Sequence, residues 1–361
     1  MKIDSNNRKY LDILRGASIL RVMMVHLGLS WFFVPYSQYI NVLLPVFFFV
    51  SGAVSFNSVL NSHNRPYYFI NRYISLLAPF VIFSMPFLFL TLINSNEFNV
   101  YEIAKWLMAY PSRGTYPFDM RQLWFINALI LMFLISFPVF KYSKTNLTPL
   151  LIVFTLSLLY IPFAEHQNLI DYWKQIDILR KLDIPMQIHQ VFSLMNYYFF
   201  GAIAYQTLLF TKKTTLIILI TSCFLGALIL HFEIESFENM NKFFFERNTY
   251  FTLISYLVIF LLLAFRDNIL KLIDKISIFE WLFIRLSKNS YALFLLHTPV
   301  IFMFERYLGF DNLGEQPILA LIKMIGVITT SIFIAPYLTN FNNKISKMLT
   351  LKSSLNTTEA K

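Results

Sequence analysis

Ten apolar runs, each about as long as a bilayer is thick, leave this chain few ways to fold. They can be laid at 10–34, 40–60, 68–93, 123–140, 147–164, 190–210, 214–232, 249–265, 289–305 and 317–340. A helix needs about 20 mostly apolar residues to cross the hydrocarbon core. The expected fold is therefore all-α, a polytopic integral membrane protein of about ten transmembrane helices. The composition agrees: 57% of the residues are hydrophobic and 14% charged, and 40 Phe and 20 Tyr suit a protein solvated largely by acyl chains. The links between runs are short. The chain reads as a single membrane domain over 1–361, with spans over about 10–340 and a short polar tail at 341–361.

The formal net charge of +10 raises the question of nucleic acid, but no long basic run occurs. The excess lies in short connecting segments, as positive-inside bias requires. Most of the 30 Lys and Arg fall on one side of the expected bundle, among them Arg8, Arg72, Lys141, Lys212, Arg266 and Lys288. The acids concentrate on the other side, at 165–183 and 233–246. An even number of spans then puts both termini in the cytoplasm of a multi-pass protein of the cell inner (plasma) membrane. The opening Met1–Lys9 is basic, but the apolar stretch after it is long and lacks a small-residue cleavage site, so it reads as a retained span.

The connections at 94–122 and 165–189 are the longest outside the membrane. Their Tyr110, Arg113, Tyr116, Asp119, Arg121 and Trp173 read first as interfacial anchors. Residues 276–288 read as an amphipathic helix lying on the inner surface, and Lys323 as a residue that snorkels. The single cysteine, Cys223, allows no internal disulfide, and no HxxxH or HExxH spacing suggests a metal. Without a Walker loop or a Rossmann fingerprint, any nucleotide-containing ligand has to be held by the bundle itself.

Ionisable residues inside a span need a reason, and the first run carries Asp12, Arg15, Arg21 and His26. In a helix the step from Arg15 to His26 turns the chain about 20° beyond three full turns and climbs about 16 Å, so the two share a face. A histidine withdrawn from water stays neutral and can take a proton from a hydroxyl, which makes His26 a candidate general base. Arg15, near the cytoplasmic end, reads as a snorkelling residue or a partner of Asp12, or as a clamp on an anionic ligand, and Arg72 on the third run as positive-inside dressing or a phosphate contact. Arg21 lies off that face and must find an acid, a carbonyl or a wet cavity. Ser51 and Ser55, with Gly52, read as a packing element. Ser290 and His297 fall on one face of the ninth run, with Pro299 a potential kink.

Several motifs together resemble the acyltransferase 3 family of membrane-bound acyltransferases. LDILRGASILRVMMVHL is similar to that family's opening signature, carried here by Asp12, Arg15, Gly16, Ala17 and His26, with ten residues between the Arg and the His. FFFVSG in the second run, FINR approaching Pro79, LWFI at 123–126 and LSKNSYALFLLH at 286–297 follow in the family's order. The family commonly has a second basic residue three positions after the Arg of the third span; here it is Ser75.

The resemblance implies an O-acyltransferase, most often moving acetyl from acetyl-CoA to a hydroxyl of a sugar or surface polysaccharide. His26 would be the base, assisted by Arg15. Arg15 and Arg72 would face acyl-CoA, a co-substrate in place of any tightly bound cofactor. Ser290, His297 and Trp124 are the candidates for acceptor contact. The expected partners are acyl-CoA, a saccharide or lipid-linked glycan, and membrane lipid. The rival reading is a transporter or flippase of a lipid-linked saccharide, whose buried Arg and His line a passage; it favours internal repeats, and none is evident. A glycan polymerase or ligase would carry larger external loops.

Overall fold

The computed structural model describes residues 5–28, 36–62, 65–95, 100–111, 121–167, 173, 175–234, 248–310 and 316–349. Arg113, Tyr116 and Asp119, with 350–361 of the expected tail, lie outside the described residues. Within them every regular element is helical and none is a strand. Fourteen α-helices follow in order: α1 Ser5–His26, α2 Leu43–Asn61, α3 Arg65–Ser95, α4 Val100–Leu107, α5 Trp124–Tyr142, α6 Thr148–Gln167 and α7 Asp177–Lys181. After these come α8 Ile184–Gln206, α9 Lys213–Ile234, α10 Thr249–Ala264, α11 Arg266–Lys275, α12 Ser277–Lys288, α13 Ser290–Leu308 and α14 Pro317–Leu349.

Six of the described helical stretches are long and apolar enough to cross a membrane, or seven if α10 and α11, bent by 64°, are one broken span. The expectation of about ten rests in part on α1, α8 and α13, whose 22, 23 and 19 residues have the length but not the apolarity. These are inner helices. They carry Arg21, His189, Asn196 and His297, all buried in protein, so their polar groups meet neighbouring helices and not lipid. The outer helices show the reverse pattern. Ile217, Ile218, Phe224, Ile229 and Phe232 of α9 and Leu156, Leu159 and Phe163 of α6 are more than half exposed, the surface an acyl-chain solvent wets.

α8 is the centre of the bundle, buried along most of its length. It packs most closely on α2 because glycines let the two backbones touch. A Cβ built on Gly52 would overlap the Tyr198 carbonyl, and one on Gly201 the Phe49 carbonyl. A third such contact, of Gly16 with the Phe283 carbonyl, seats α12 along the first half of α1. The amphipathic 276–288 segment thus turns one face to α1 as well as one outward. Lys9 bridges Asp274 at 2.8 Å and Glu280 at 2.5 Å, and Ser287 Oγ donates to Asp12 at 2.8 Å.

Side-chain bonds gather the helix ends into two sets. At one end Tyr10 reaches the Leu262 carbonyl at 2.5 Å, Tyr205 donates to Asn57 at 2.8 Å, and Gln206 to the Ser143 carbonyl at 2.9 Å. At the other, Lys105 pairs with Asp183 at 3.1 Å and Gln122 with Thr298 at 2.5 Å. The last helix also departs from expectation, running without a break past residue 340 to Leu349.

Candidate active site

Arg8, Asp12, Arg15 and Ile19 recur at steps of three and four residues on α1, so they form one stripe. That stripe is one wall of a cavity of about 480 Å³. The other walls come from Ser51 and Ser55 of α2, Arg72 and Ser75 of α3, Phe125 and Phe133 of α5, and Tyr198 of α8. Lys288, Ser290, Tyr291 and Phe294 at the α12–α13 junction and Asn342 of α14 complete it. Tyr291 is fixed by donating to the Leu76 carbonyl at 2.6 Å, and Tyr198 lies 3.3 Å from the Ser136 hydroxyl.

The cavity is polar at the basic end of the bundle and aromatic at its inner end. Four cations, Arg8, Arg15, Arg72 and Lys288, line it against one carboxylate, Asp12, which already accepts from Ser287. Among the described residues none of the four has a carboxylate within ion-pair distance. Like charges gathered without counter-ions suit a ligand that brings several negative charges. At the inner end Phe47 and Phe294 each lie 4.8 Å from the ring of Phe125. This trio lines the inner end of the cavity.

Beyond the trio lies a pair of histidines. Phe294 is 5.7 Å from His297, and His297 Nε2 is 2.6 Å from His26 Nδ1. The rings are nearly parallel, at 8°, with centroids 4.8 Å apart. Face-stacked imidazoles could not bring two nitrogens so close, so the rings meet edge to edge through one hydrogen bond. Its direction follows from the next contact. His297 Nδ1 lies 3.1 Å from the Leu293 carbonyl, which can only accept, so Nδ1 carries the proton. The Nε2 of neutral His297 is then the acceptor and His26 Nδ1 the donor. This assignment, inferred from the network, makes Nε2 the basic nitrogen of His26.

The structure brings Arg15, Arg72 and Ser290 to one cavity, and His26 to His297. It does not bring the two groups together. α1 is unbroken between Arg15 and His26, which fixes them about 16 Å apart along the axis. His26 is exposed at the end of α1, whereas the sequence suggests burial; the fully buried histidine is His297. His297 therefore lies behind His26 and not on an open wall. Trp124 stands edge-on to Phe125, 5.9 Å away, and it is Phe125 that faces the cavity. Arg21 finds its partners in the Ile40 carbonyl at 3.2 Å and the Asn41 side chain. Lys323 does not merely snorkel but pairs with Glu305 at 2.6 Å.

Arg8, Lys288 and the phenylalanine trio escape a reading of the sequence. Arg8 stands seven residues before Arg15, a spacing that signals a shared face, but it looks like an ordinary charge beside a span. Ser51 and Ser55 read as packing residues; Gly52 between them makes the close backbone contact, and both serines also line the cavity, with Ser55 hydrogen-bonded to Tyr198.

A bundle of apolar helices around such a site defines an integral membrane protein with an internal cavity. The chain belongs to the acyltransferase 3 family: the family model, described as an acyltransferase domain, matches residues 8–336. Membership makes it an acyltransferase of groups other than aminoacyl. No curated protein and no solved structure matched the chain.

Proposed function

We propose that the protein transfers a short acyl group, acetyl, from acyl-CoA to a hydroxyl of a cell-surface glycan or its lipid-linked precursor, with His26 as general base. The observation that carries this reading is the order of parts along α1: an uncompensated cationic mouth, an aromatic throat, and a histidine pair about 16 Å further on. CoA has the same order, with phosphates at one end, a long arm, and the thioester at the tip. The basic end is the cytoplasmic side, where CoA resides, and the bundle of about ten helices is completed by the polar α1, α8 and α13.

In this mechanism Arg15 and Arg72 hold the donor's phosphates, Arg15 through the planar fork that matches a phosphate. Arg8 and Lys288 add the positive charge that Ser75 does not supply. In this reading the rings of Phe47, Phe125 and Phe294, which line the inner end of the cavity, shift to let the arm pass toward the histidine pair. The acceptor hydroxyl lies against His26 Nε2, and its oxygen attacks the thioester carbonyl as its proton passes to the imidazole. The carbon–sulfur bond breaks when the tetrahedral adduct collapses. His26 returns the proton to the departing thiolate. During the step the imidazolium is stabilised by its Nδ1–H bond to His297, which also fixes the ring's orientation. The distance from Arg15 to His26 separates their work, leaving Arg15 with binding and His26 with chemistry.

Mass spectrometry of surface glycans from cells with and without the protein tests the reading. The expected difference is one acyl group per modified unit. Glycans of unchanged acylation but altered abundance across the membrane would favour a flippase instead.

A further inference from the structure

α12 has two working faces. Phe283 and Ser287 lie against α1, as described. The opposite stripe, Ser277, Trp281, Ile284, Arg285 and Lys288, recurs at helical spacing and lines an open groove of about 530 Å³ against Pro336 of α14. The Arg285 guanidinium lies 5.2 Å from the ring of Trp281 and 5.9 Å from that of Phe333. Its Nε is buried without a hydrogen-bond partner. The nearest acid in the groove, Glu280, is taken by Lys9 at 2.5 Å. Two cations, Arg285 and Lys288, thus face a groove whose lining acid, Glu280, already answers Lys9.

The rim says what the groove opens to. Ile278, Trp281 and Phe333 are 60%, 49% and 61% exposed beside it. An amphipathic helix with an aromatic and apolar edge lies at headgroup depth in a bilayer. A soluble anion would gain nothing from that edge, whereas a phospholipid would place its phosphate on the cations and its chains along the apolar rim. We infer that this groove is a binding site for an anionic phospholipid, with Arg285 and Lys288 on the headgroup phosphate and Trp281 against the glycerol region. Lys288, at the α12–α13 junction, lines both this groove and the donor cavity, whereas Arg285, Trp281 and Pro336 belong to the groove alone, and the site does not depend on the reaction proposed above.

The test uses the full-length protein in phosphatidylcholine nanodiscs carrying a minor fraction of brominated lipid, either phosphatidylglycerol or phosphatidylcholine. The signal is the tryptophan quenching present in wild type and missing in Trp281→Phe. At equal bromolipid content, phosphatidylglycerol should quench that component about threefold more than phosphatidylcholine, a preference of about 0.6 kcal/mol in all. Arg285→Gln should reduce the ratio, and Arg285→Gln with Lys288→Gln should bring it to unity. Equal quenching by the two lipids in wild type would overturn the proposal, as would a preference that survives in the double variant. Loss of the preference on adding inorganic phosphate at constant ionic strength would also overturn it, since the site would then take free phosphate. Each variant is first shown to keep its helical circular dichroism, so that a lost preference is a lost site.

Discussion

The cations that line the cavity mouth and those at the far end of the bundle are treated in opposite ways. At the end opposite the cavity mouth, Lys105 pairs with Asp183 at 3.1 Å, and Asp177 takes both Arg180 and Lys181 at 2.7 Å. The hydrogen bonds from Lys181 and Arg180 hold the Asp177 carboxyl below its ordinary pKa. At the mouth, Arg8, Arg15, Arg72 and Lys288 share a cavity with one acid that already serves Ser287. Paired surface charges contribute about 0–1 kcal/mol each to the fold and do little else. Unpaired charges that face one space cost stability unless a ligand answers them. The proposed donor site rests on this difference between the cavity's cations and the paired ones, Lys9 beside the mouth included.

The sharpest break lies beyond the mouth. His26→Ala should lower acyl transfer by about 10²–10⁴-fold, the usual range for a lost general base. Membrane fractions should contain as much protein as wild type, and wild-type product levels would remove His26 from the chemistry. His297→Leu should fall short of that loss, lowering turnover on the order of 10²-fold with donor KM unchanged, because the leucine removes the acceptor that orients His26. A change confined to donor KM would instead place His297 on the binding path.

Arginine chemistry at the mouth sharpens the contrast further. Arg15→Lys should raise the donor KM about tenfold, since lysine keeps the charge and loses the fork. Arg72, exposed at the cavity mouth, should tolerate lysine within about twofold if it acts through its charge alone. A donor titration on the purified variants decides this, and equal KM for wild type and Arg15→Lys would leave Arg15 a structural partner of Asp12. The smallest effect belongs to the paired end. Lys105→Met should leave donor KM unchanged and cost at most about 1 kcal/mol of stability, read from thermal unfolding in detergent. A donor effect as large as that of Arg15→Lys would erase the distinction between the ends.

Much of this was legible in the sequence because lipid imposes strict terms on a chain. Helical class, the apolar spans and the odd placement of Arg15 and His26 follow from hydropathy and the helix period alone. The span count was less legible: the sequence lays spans over α1, α8 and α13 too, but Arg21, Asn196 and His297 leave these helices short of the apolarity of the six stretches that qualify. The histidine pair could not be read at all. His26 and His297 stand in helices separated by most of the chain, and no local pattern says that α1 and α13 meet there. The same is true of Lys288 and Phe125, whose neighbours in sequence offer no hint that they share a wall.

The central claim is that the mouth binds the donor and His26 performs the chemistry, and equilibrium binding of acetyl-CoA to purified variants in detergent tests it most directly. His26→Ala should bind acetyl-CoA with the affinity of wild type, while Arg15→Gln combined with Arg72→Gln should bind it at least about tenfold more weakly. Donor binding lost in His26→Ala, or retained in the double arginine variant, would contradict the account.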